Sequence, residues 1–301
     1  MDNICKICDQ EVTEKSHFWK NHKIKEKDYY EQYIPKSDLF TNEPIIFKNP
    51  EQYFLTDFND KRNLKKYLES KSKKEGLDYL ELWISKRKQI KDLTYAMPEF
   101  ECKSLCFPSI KFIRDFFGLD CYDCICLTNK LQLRHDYNQK LEIDNNKELN
   151  FICDSREQNI LRLPNMQIAA LNYGDYTIEN SNIYIERKSL SDAISTLSGG
   201  FERLKKEIER CKENNHYLVI LIEEKYSNLQ GFEYMPHIHS KCDWIFISHR
   251  IRELLHEYPL TIQFLAVDGR KESVRVMEKI FKLNNDINSL DLQYLYNQKI
   301  L

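Results

Sequence analysis

The sequence predicts an α/β domain in the second half of the chain, preceded by a mainly helical region and a small segment rich in Cys and His. From Asn150 onward, short β-rich runs alternate with amphipathic helical runs, which is typical of α/β folds. From about Tyr53 to Phe117, apolar residues recur at helical spacing between faces rich in Lys and Glu. Near the N-terminus, two cysteines are followed closely by two histidines. The chain is therefore expected to contain three structural zones.

The composition is typical of a globular chain with more than one folded unit. Its 301 residues exceed an average domain, and 42% hydrophobic residues are enough for real cores. No apolar run could span a bilayer and no signal-peptide layout begins the chain, so we expect no membrane partner and a cytoplasmic location, in the nucleoid or nucleus wherever its substrate lies. The ten cysteines are then expected to be thiols. The net charge of -2 neither supports nor excludes a nucleic-acid partner, because 45 Lys and Arg residues can still form basic faces.

The first motif pairs Cys5 and Cys8 with His17 and His22. The short cysteine spacing permits a tight knuckle, and the histidine spacing places both rings on one helical face, so all four can reach one tetrahedral Zn²⁺. Structural zinc would supply the folding energy that so short a segment lacks. The alternative is that the cysteines are incidental thiols and the histidines surface groups, since the gap between the pairs is unusually short. Lysines on or beside the predicted helix would contact phosphate: Lys15, Lys20, Lys23 and Lys25.

The middle zone predicts a small helical unit. Its apolar positions at i, i+3 and i+4 spacing are Leu64, Tyr67, Leu68, Tyr79, Leu80, Leu82 and Trp83. A second cysteine set also has ligand-like spacing: Cys102, Cys106, Cys121, Cys124 and Cys126. Two interpretations stay open for this set, a second structural zinc site and plain core packing, and core packing is favoured because an aromatic-rich helix interrupts the set. The segment at 144–150 is predicted to be a linker.

The last zone begins near Asn150 and reads as strands and helices in alternation. Three runs are predicted strands: NIYIERK, HYLVILIE and TIQFLAV. Four runs are predicted helices, with Ser189 and Asp243 as N-caps for two of them: SLSDAISTLS, FERLKKEIERCKE, DWIFISHRIRELLHEY and ESVRVMEKIFKL. The predicted division of the chain is 1–35 for the Cys/His finger, 36–149 for the helical region, 150–285 for the α/β domain and 286–301 for a C-terminal tail.

A catalytic constellation is predicted around Asp175, Glu186 and Lys188. A hairpin signal between Asp175 and Glu186 places them on neighbouring strands, and strand alternation points Glu186 and Lys188 to one face, with Arg187 on the other. Carboxylates hold Mg²⁺ or Mn²⁺, which lowers the pKa of bound water, and the lysine can stabilise the charge of a pentavalent phosphate. These residues therefore predict phosphodiester hydrolysis. The competing interpretation is a set of solvated surface charges on an α/β scaffold.

Four linked motif pieces resemble the signature of XPF-type nucleases, a branch of the PD-(D/E)xK restriction-endonuclease-like fold. In order, they are Asp154-Ser155-Arg156-Glu157, Gly174-Asp175, Glu186-Arg187-Lys188 with Asp192, and Phe201-Glu202-Arg203-Leu204 with Glu207. The resemblance covers about 150–285 and implies a mixed sheet flanked by helices. The finger is similar to compact Ros/MucR-type fingers and to finger ends on phage and viral nucleases. Only about 20 residues follow Phe281, so the tandem helix-hairpin-helix module of the eukaryotic members is not expected.

The resemblance implies roles for individual residues. Asp175, Glu186, Asp154 and Asp192 would hold the divalent metal, with Lys188 and Glu157 completing the catalytic set. Phosphate or DNA would be contacted by Arg156, Arg187 and Arg203, together with Lys20 and Lys23 of the finger.

The functional prediction is a metal-dependent DNA endonuclease acting on double-stranded or branched DNA, with the finger and helical region docking on the substrate. Two alternatives stay open: a non-catalytic DNA-binding scaffold that keeps a nuclease fold, and a structure-selective RNA nuclease. A homodimer is one arrangement that would allow cutting of both strands. Mobile-element homing, phage replication, repair and recombination would all use such a protein.

Overall fold

A computed structural model describes residues 4–14, 16–91, 93–236, 238 and 241–301. Lys15, named above beside the finger helix, lies outside these residues. The chain divides into two compact units: unit 1 comprises Met1–Thr94 and Leu105–Gln132, and unit 2 comprises Tyr95–Ser104 and Leu133–Leu301. Among the described residues, no helix is both long and apolar enough to cross a bilayer.

Unit 1 begins with the Cys/His segment, which folds around two short helices, α1 (His17–His22) and α2 (Glu26–Tyr33). Before α1 the chain turns back on itself, with an antiparallel bridge between Ile4 and Glu11. The small core consists of Cys5, Phe18 and Tyr29, all buried. Phe18 and Tyr29 stack with ring centroids 4.1 Å apart. The segment thus has a core of its own, although a very small one.

The rest of unit 1 is helical, as predicted. Its helices are α3 (Pro50–Leu55), α4 (Lys61–Ser70), α5 (Lys73–Ile90), α7 (Ile110–Phe117) and α8 (Cys121–Thr128). Between α5 and α7 the chain enters unit 2, where it forms α6 (Glu99–Ser104). A capping box between Ser72 and Glu75 begins α5. Leu64, Leu68, Leu80 and Trp83 are buried. Leu82 breaks the predicted stripe, because 53% of it is exposed.

The second cysteine set forms no metal site among the described residues. Cys102 belongs to unit 2 while Cys121 and Cys126 belong to unit 1. Burial raises the pKa of the Cys126 thiol to about 12, which opposes the thiolate form that zinc requires. The structure therefore favours the core-packing interpretation for Cys102 and Cys126, which are buried, whereas Cys124 is exposed.

Unit 2 is built on a six-stranded mixed sheet. Its strands are β1 (Phe151–Asp154), β2 (Gln167–Ala169), β3 (Tyr176–Ile178), β4 (Ile183–Lys188), β5 (Tyr217–Ile222) and β6 (Ile262–Ala266). The order across the sheet is β2-β1-β3-β4-β5-β6. The β1–β3 and β3–β4 pairs are antiparallel, while the other three pairs are parallel. The three predicted strands correspond to β4, β5 and β6.

Helices cover both faces of this sheet. They are α9 (Leu190–Ser198), α10 (Phe201–Glu213), α11 (Tyr226–Leu229), α12 (Trp244–Glu257), α13 (Arg270–Lys282) and α14 (Leu292–Asn297). Alternate residues of β5 enter two different cores: Leu218 and Ile220 pack into one, and Val219 and Leu221 into the other. Strands buried on both faces read as continuous apolar runs, which is why β5 was recognisable in the sequence. The mixed α/β architecture predicted for this region is confirmed.

The segments predicted as a linker and as a C-terminal tail both pack as parts of unit 2. The predicted linker at 144–150 lies inside unit 2, where Leu149 is buried. The segment at 286–301, predicted as a tail, contains α14 and places Leu292 and Leu301 in the core. Apolar residues near the end of the chain were the available signal for this packing.

Candidate active site and zinc centre

The candidate active site starts at a tight turn before β3. Gly174 has φ of 55°, and a Cβ there would lie 3.0 Å from the carbonyl oxygen of Ile185. Glycine is therefore required by both conformation and space. The next residue, Asp175, donates its N–H to the Ile185 oxygen at 2.9 Å and accepts the N–H of Asp154 at 2.8 Å. The turn is thus anchored to β4 on one side and to β1 on the other.

The Asp175 carboxylate is largely enclosed. Its Oδ2 accepts the backbone N–H of Arg187 at 2.7 Å. Burial, followed by the negative charge of Glu186, raises the pKa of Asp175 to about 7, and the hydrogen bond from Arg187 opposes the shift. Raised carboxylate pKa values are typical of functional sites where acidic groups lie close together.

Glu186 and Lys188 lie on the same face of β4 and form an ion pair. The predicted alternation of side chains along β4 is therefore confirmed. Only 14% of each side chain is exposed. Burial raises the pKa of Glu186, although attraction to Lys188 opposes this shift. Burial lowers the pKa of Lys188, but the charge of Glu186 outweighs it and the pKa is raised, so Lys188 is a firmly protonated ammonium group.

Arg187 is directed to other partners. Its guanidinium donates to Glu157 at 2.9 Å and to Glu223 at 2.6 Å, and only 8% of the side chain is exposed. A third donor reaches the carbonyl oxygen of Asn159 at 2.8 Å. Since these partners engage both terminal nitrogens of a buried guanidinium, the geometry favours a role in holding Glu157 and Glu223 over the predicted contact with phosphate.

Asp154 ends β1 beside Asp175 and is held by Arg156. The Arg156 side chain donates to Asp154 Oδ2 at 2.9 Å from Nε and 2.5 Å from Nη2. Burial raises the pKa of Asp154, but these hydrogen bonds outweigh it and the pKa is lowered. Asp154 is therefore an anionic group in the site, with its oxygens already engaged. Arg156 is itself mostly exposed and stays a candidate for phosphate contact.

Two predicted residues lie on the helices that follow β4. Asp192 is exposed in the first turn of α9, where its carboxylate accepts the hydroxyl of the N-cap Ser189 at 2.6 Å. This contact gives Asp192 a capping role, and its metal role stays a prediction. Arg203 is exposed near the start of α10, where a phosphate could reach it.

Two acidic residues were not identified as site residues from the sequence. Glu207 on α10 accepts the N–H of Gly174 at 3.0 Å, and its charge raises the pKa of Glu186. Glu223 follows β5 directly and pairs with Arg187. The sequence held a signal for both as site residues. Glu207 belongs to the fourth motif piece that resembles XPF-type nucleases, and Glu223 follows a strand parallel to the one that carries Glu186.

The carboxylates fit a hard divalent cation. Mg²⁺ is commonly held by one or two protein carboxylates, with water and substrate phosphate filling the other positions. Asp175 and Glu186 supply that pair, and a cation would relieve the repulsion from Glu186 that adds to burial in raising the pKa of Asp175. Within the part of the chain that the structure describes, these acids form no group of three with ligand atoms close together.

The Cys/His segment does form such a group. The ligand atoms of Cys5, Cys8, His17 and His22 all lie within 4.8 Å of one another. Cys5 Sγ lies 3.5 Å from His22 Nε2, and Cys8 Sγ lies 3.5 Å from His17 Nε2. Tetrahedral zinc with ordinary Zn–S and Zn–N bonds requires a sulfur–nitrogen separation of about 3.6 Å. The four residues therefore fit zinc.

Local contacts support metal binding by this group. Burial raises the pKa of the Cys5 thiol, but backbone hydrogen bonds from Ile7 and Cys8 outweigh it and the pKa is lowered, which favours thiolate. His17 Nδ1 contacts the Asn21 side chain at 3.1 Å, leaving Nε2 for the metal. The two cysteines with two residues between them and the two histidines with four residues between them were thus a sufficient signal for the ligand set.

The region around the acidic site is similar to a known protein family. Residues 143–279, just under half of the chain, match the family model described as the ERCC4 domain. The predicted resemblance of this region to XPF-type nucleases is confirmed. No curated protein matches the chain.

Two solved structures of XPF from Aeropyrum pernix, one in complex with DNA, are similar at 20% and 21% identity, with TM-scores of 0.33 and 0.32. Each match covers 50% of this chain and 66% of the XPF chain, so this protein spans slightly less than two thirds of those relatives.

Proposed function

We propose that this protein is a metal-dependent DNA endonuclease whose reaction takes place at Asp175, Glu186 and Lys188. The observation that carries the proposal is the convergence of two enclosed carboxylates and one ammonium group within an ERCC4 domain. These groups come from the turn before β3 and from the end of β4, where neighbouring strands also deliver Asp154 and Glu223. The set supplies both metal ligands and a cation for phosphate.

Each residue has a defined task in this proposal. Asp175 and Glu186 would hold Mg²⁺ or Mn²⁺, which when bound polarises phosphate and lowers the pKa of a water molecule. The ammonium group of Lys188 would stabilise the negative charge that develops on the phosphate oxygens. Its ion pair with Glu186 keeps that ammonium at the site before substrate arrives.

The finger would contribute DNA affinity. Lys20, Lys23 and Lys25 are exposed on or beside α1, and a zinc-held helix presents them at fixed positions. Lysine contacts to phosphate add affinity with little sequence information. We therefore assign substrate docking to the finger and chemistry to the ERCC4 domain.

A cleavage assay tests the proposal. The full chain is incubated with matched linear, flap, fork and Holliday-type DNAs and their RNA counterparts, with Mg²⁺, Mn²⁺ or EDTA. We expect metal-dependent cleavage of DNA that is abolished by Asp175→Ala and by Glu186→Ala, while Asp268→Ala, an exposed acidic residue outside the site, keeps full activity. Undiminished cleavage in both site variants would overturn the assignment.

The same assay separates the alternatives. A gel shift with no cleavage under any metal would indicate a DNA-binding scaffold. Cleavage of RNA in preference to the matched DNA would indicate an RNA nuclease. The three residues that carry the chemistry are all present in this chain, which favours the catalytic interpretation.

A further inference from the structure

Glu207 connects helix α10 to the turn that carries Asp175. Its Oε1 accepts the backbone N–H of Gly174 at 3.0 Å. Glu207 lies in the middle of α10, a helix of 13 residues that is fixed in the core by Leu204 and Ile208. The bond therefore ties the turn to a well-packed helix.

The Gly174 amide depends on this contact. Gly174 is buried, so its N–H cannot be satisfied by bulk water. A buried N–H without a partner costs about 1–3 kcal/mol, which would push the turn toward another conformation. Since Gly174 already has a left-handed conformation and closely approaches Ile185, small changes here would move the neighbouring residue.

The other contacts of the turn leave this role to Glu207. Asp175 is anchored through its N–H, its carbonyl oxygen and its carboxylate, and all three contacts go to backbone atoms of β1 and β4. Glu207 accepts the Gly174 N–H from the helical layer, while Asn214, the C-cap of α10, donates to the hydroxyl of the preceding residue, Tyr173, at 2.8 Å.

We infer that Glu207 is a positioning residue for Asp175, which holds the Gly174 turn in place by accepting its N–H. The role rests on the proposed function, because Asp175 must be a metal ligand for its placement to affect a reaction. The important property of Glu207 is its acceptor oxygen, so glutamine can replace it while a side chain of similar size without an acceptor cannot.

Two substitutions test this inference. Glu207→Gln keeps a carbonyl acceptor and removes the charge, while Glu207→Met fills similar space without an acceptor. We expect Glu207→Gln to cleave within about threefold of the wild type, the size of one modest polar contact. We expect Glu207→Met to need about tenfold or more Mg²⁺ for half-maximal cleavage, which is typical when an outer partner of a metal ligand is lost. Glu202→Gln and Glu202→Met, on an exposed position of the same helix, are the matched controls.

Amide hydrogen exchange of the full chain provides a readout that does not require cleavage. The Gly174 amide should exchange about tenfold faster in Glu207→Met than in the wild type, and glutamine should restore most of the protection. Unchanged exchange in Glu207→Met, or equal loss of activity in the glutamine and methionine variants, would overturn the inference. Absence of cleavage by the wild type would instead contradict the proposed function, which the exchange measurement does not depend on.

Discussion

The candidate zinc centre and the candidate active site bring polar ligands together in opposite ways. The four candidate zinc ligands come from 18 consecutive residues, Cys5 to His22, and their ligand atoms already surround one point. The acidic site draws Asp154 from β1, Asp175 from the turn before β3 and Glu186 from β4, and protein donors engage each carboxylate. Structural metal sites are closed by their protein ligands, whereas catalytic sites keep positions for water and substrate. We therefore expect one centre to serve folding and the other to serve chemistry.

The largest expected effect is a separation of the two centres by mutation. Asp175→Asn should reduce cleavage by about 10³-fold or more, since it removes a metal ligand worth ~4 kcal/mol in the transition state. Zinc content, measured by mass spectrometry, should stay at one ion per chain. Cys8→Ser should abolish zinc binding and weaken DNA binding, while the rate at saturating DNA is retained. Loss of cleavage rate at saturating DNA in Cys8→Ser would contradict the separation of roles.

The acidic site, unlike the finger, depends on a buried network of ion pairs around Arg187. Arg187→Met should lower the free energy of unfolding by about 3–5 kcal/mol, because it leaves Glu157 and Glu223 as uncompensated charges. Urea denaturation followed by tryptophan fluorescence measures this change. Arg203→Met is the control, since Arg203 is exposed. Equal stability of the two variants would show that the network contributes little.

Acid should destabilise the two regions for different reasons. In the finger, acid should release bound zinc, because metal affinity falls as protons compete for the ligands. In unit 2, burial lowers the pKa of His135 to about 4, although nearby Asp291 opposes the shift and Arg134 adds to it.

The sign of the His135 effect follows from the lowered pKa. Between about pH 6.5 and 4 the unfolded chain binds a proton that the folded chain excludes, so the free energy of unfolding falls as the pH falls. The expected contribution is ~2 kcal/mol between pH 7 and pH 5. Urea denaturation of the wild type and of His135→Asn at both pH values isolates it. The same pH dependence in both proteins would contradict this prediction.

The smallest expected effect compares two lysines of the finger. Lys20 is paired with Glu14 at 2.9 Å, whereas no carboxylate among the described residues lies within ion-pair distance of Lys23. Lys23→Ala should weaken DNA binding about threefold and lower the salt slope of binding by about one, and Lys20→Ala should do less. Fluorescence anisotropy at several salt concentrations measures both. A larger effect of Lys20→Ala would place the DNA contact elsewhere on the finger.

Local patterns in the sequence predicted much of the fold. The apolar runs of β5 and β6, the Ser189 and Asp243 caps, and the histidine spacing of the finger each specify a structure within a few residues. Asp175, Glu186 and Lys188 were predictable as a group because a hairpin connects their strands. Their proximity requires only β3 and β4 to pair.

Contacts between distant residues were not predictable in this way. Arg187 looked like a phosphate ligand, because nothing near it in the sequence reveals that Glu157 and Glu223 occupy its guanidinium. Glu99 and Glu101 resemble surface charges, yet both are buried in unit 2, where Glu101 accepts a hydrogen bond from His256 at 2.8 Å. Residue type alone does not show which charges find partners elsewhere in the chain.

The excursion of Tyr95–Ser104 into unit 2 has a consequence for how the protein can be cut. The polypeptide passes from one unit to the other three times, after Thr94, Ser104 and Gln132. A protease that cleaves one of these passages leaves the two units covalently connected through the others. A fragment starting at residue 133 would also lack Phe100, which is buried in the core beside Tyr226. The region that matches the ERCC4 domain is therefore not a module that a single truncation can isolate intact.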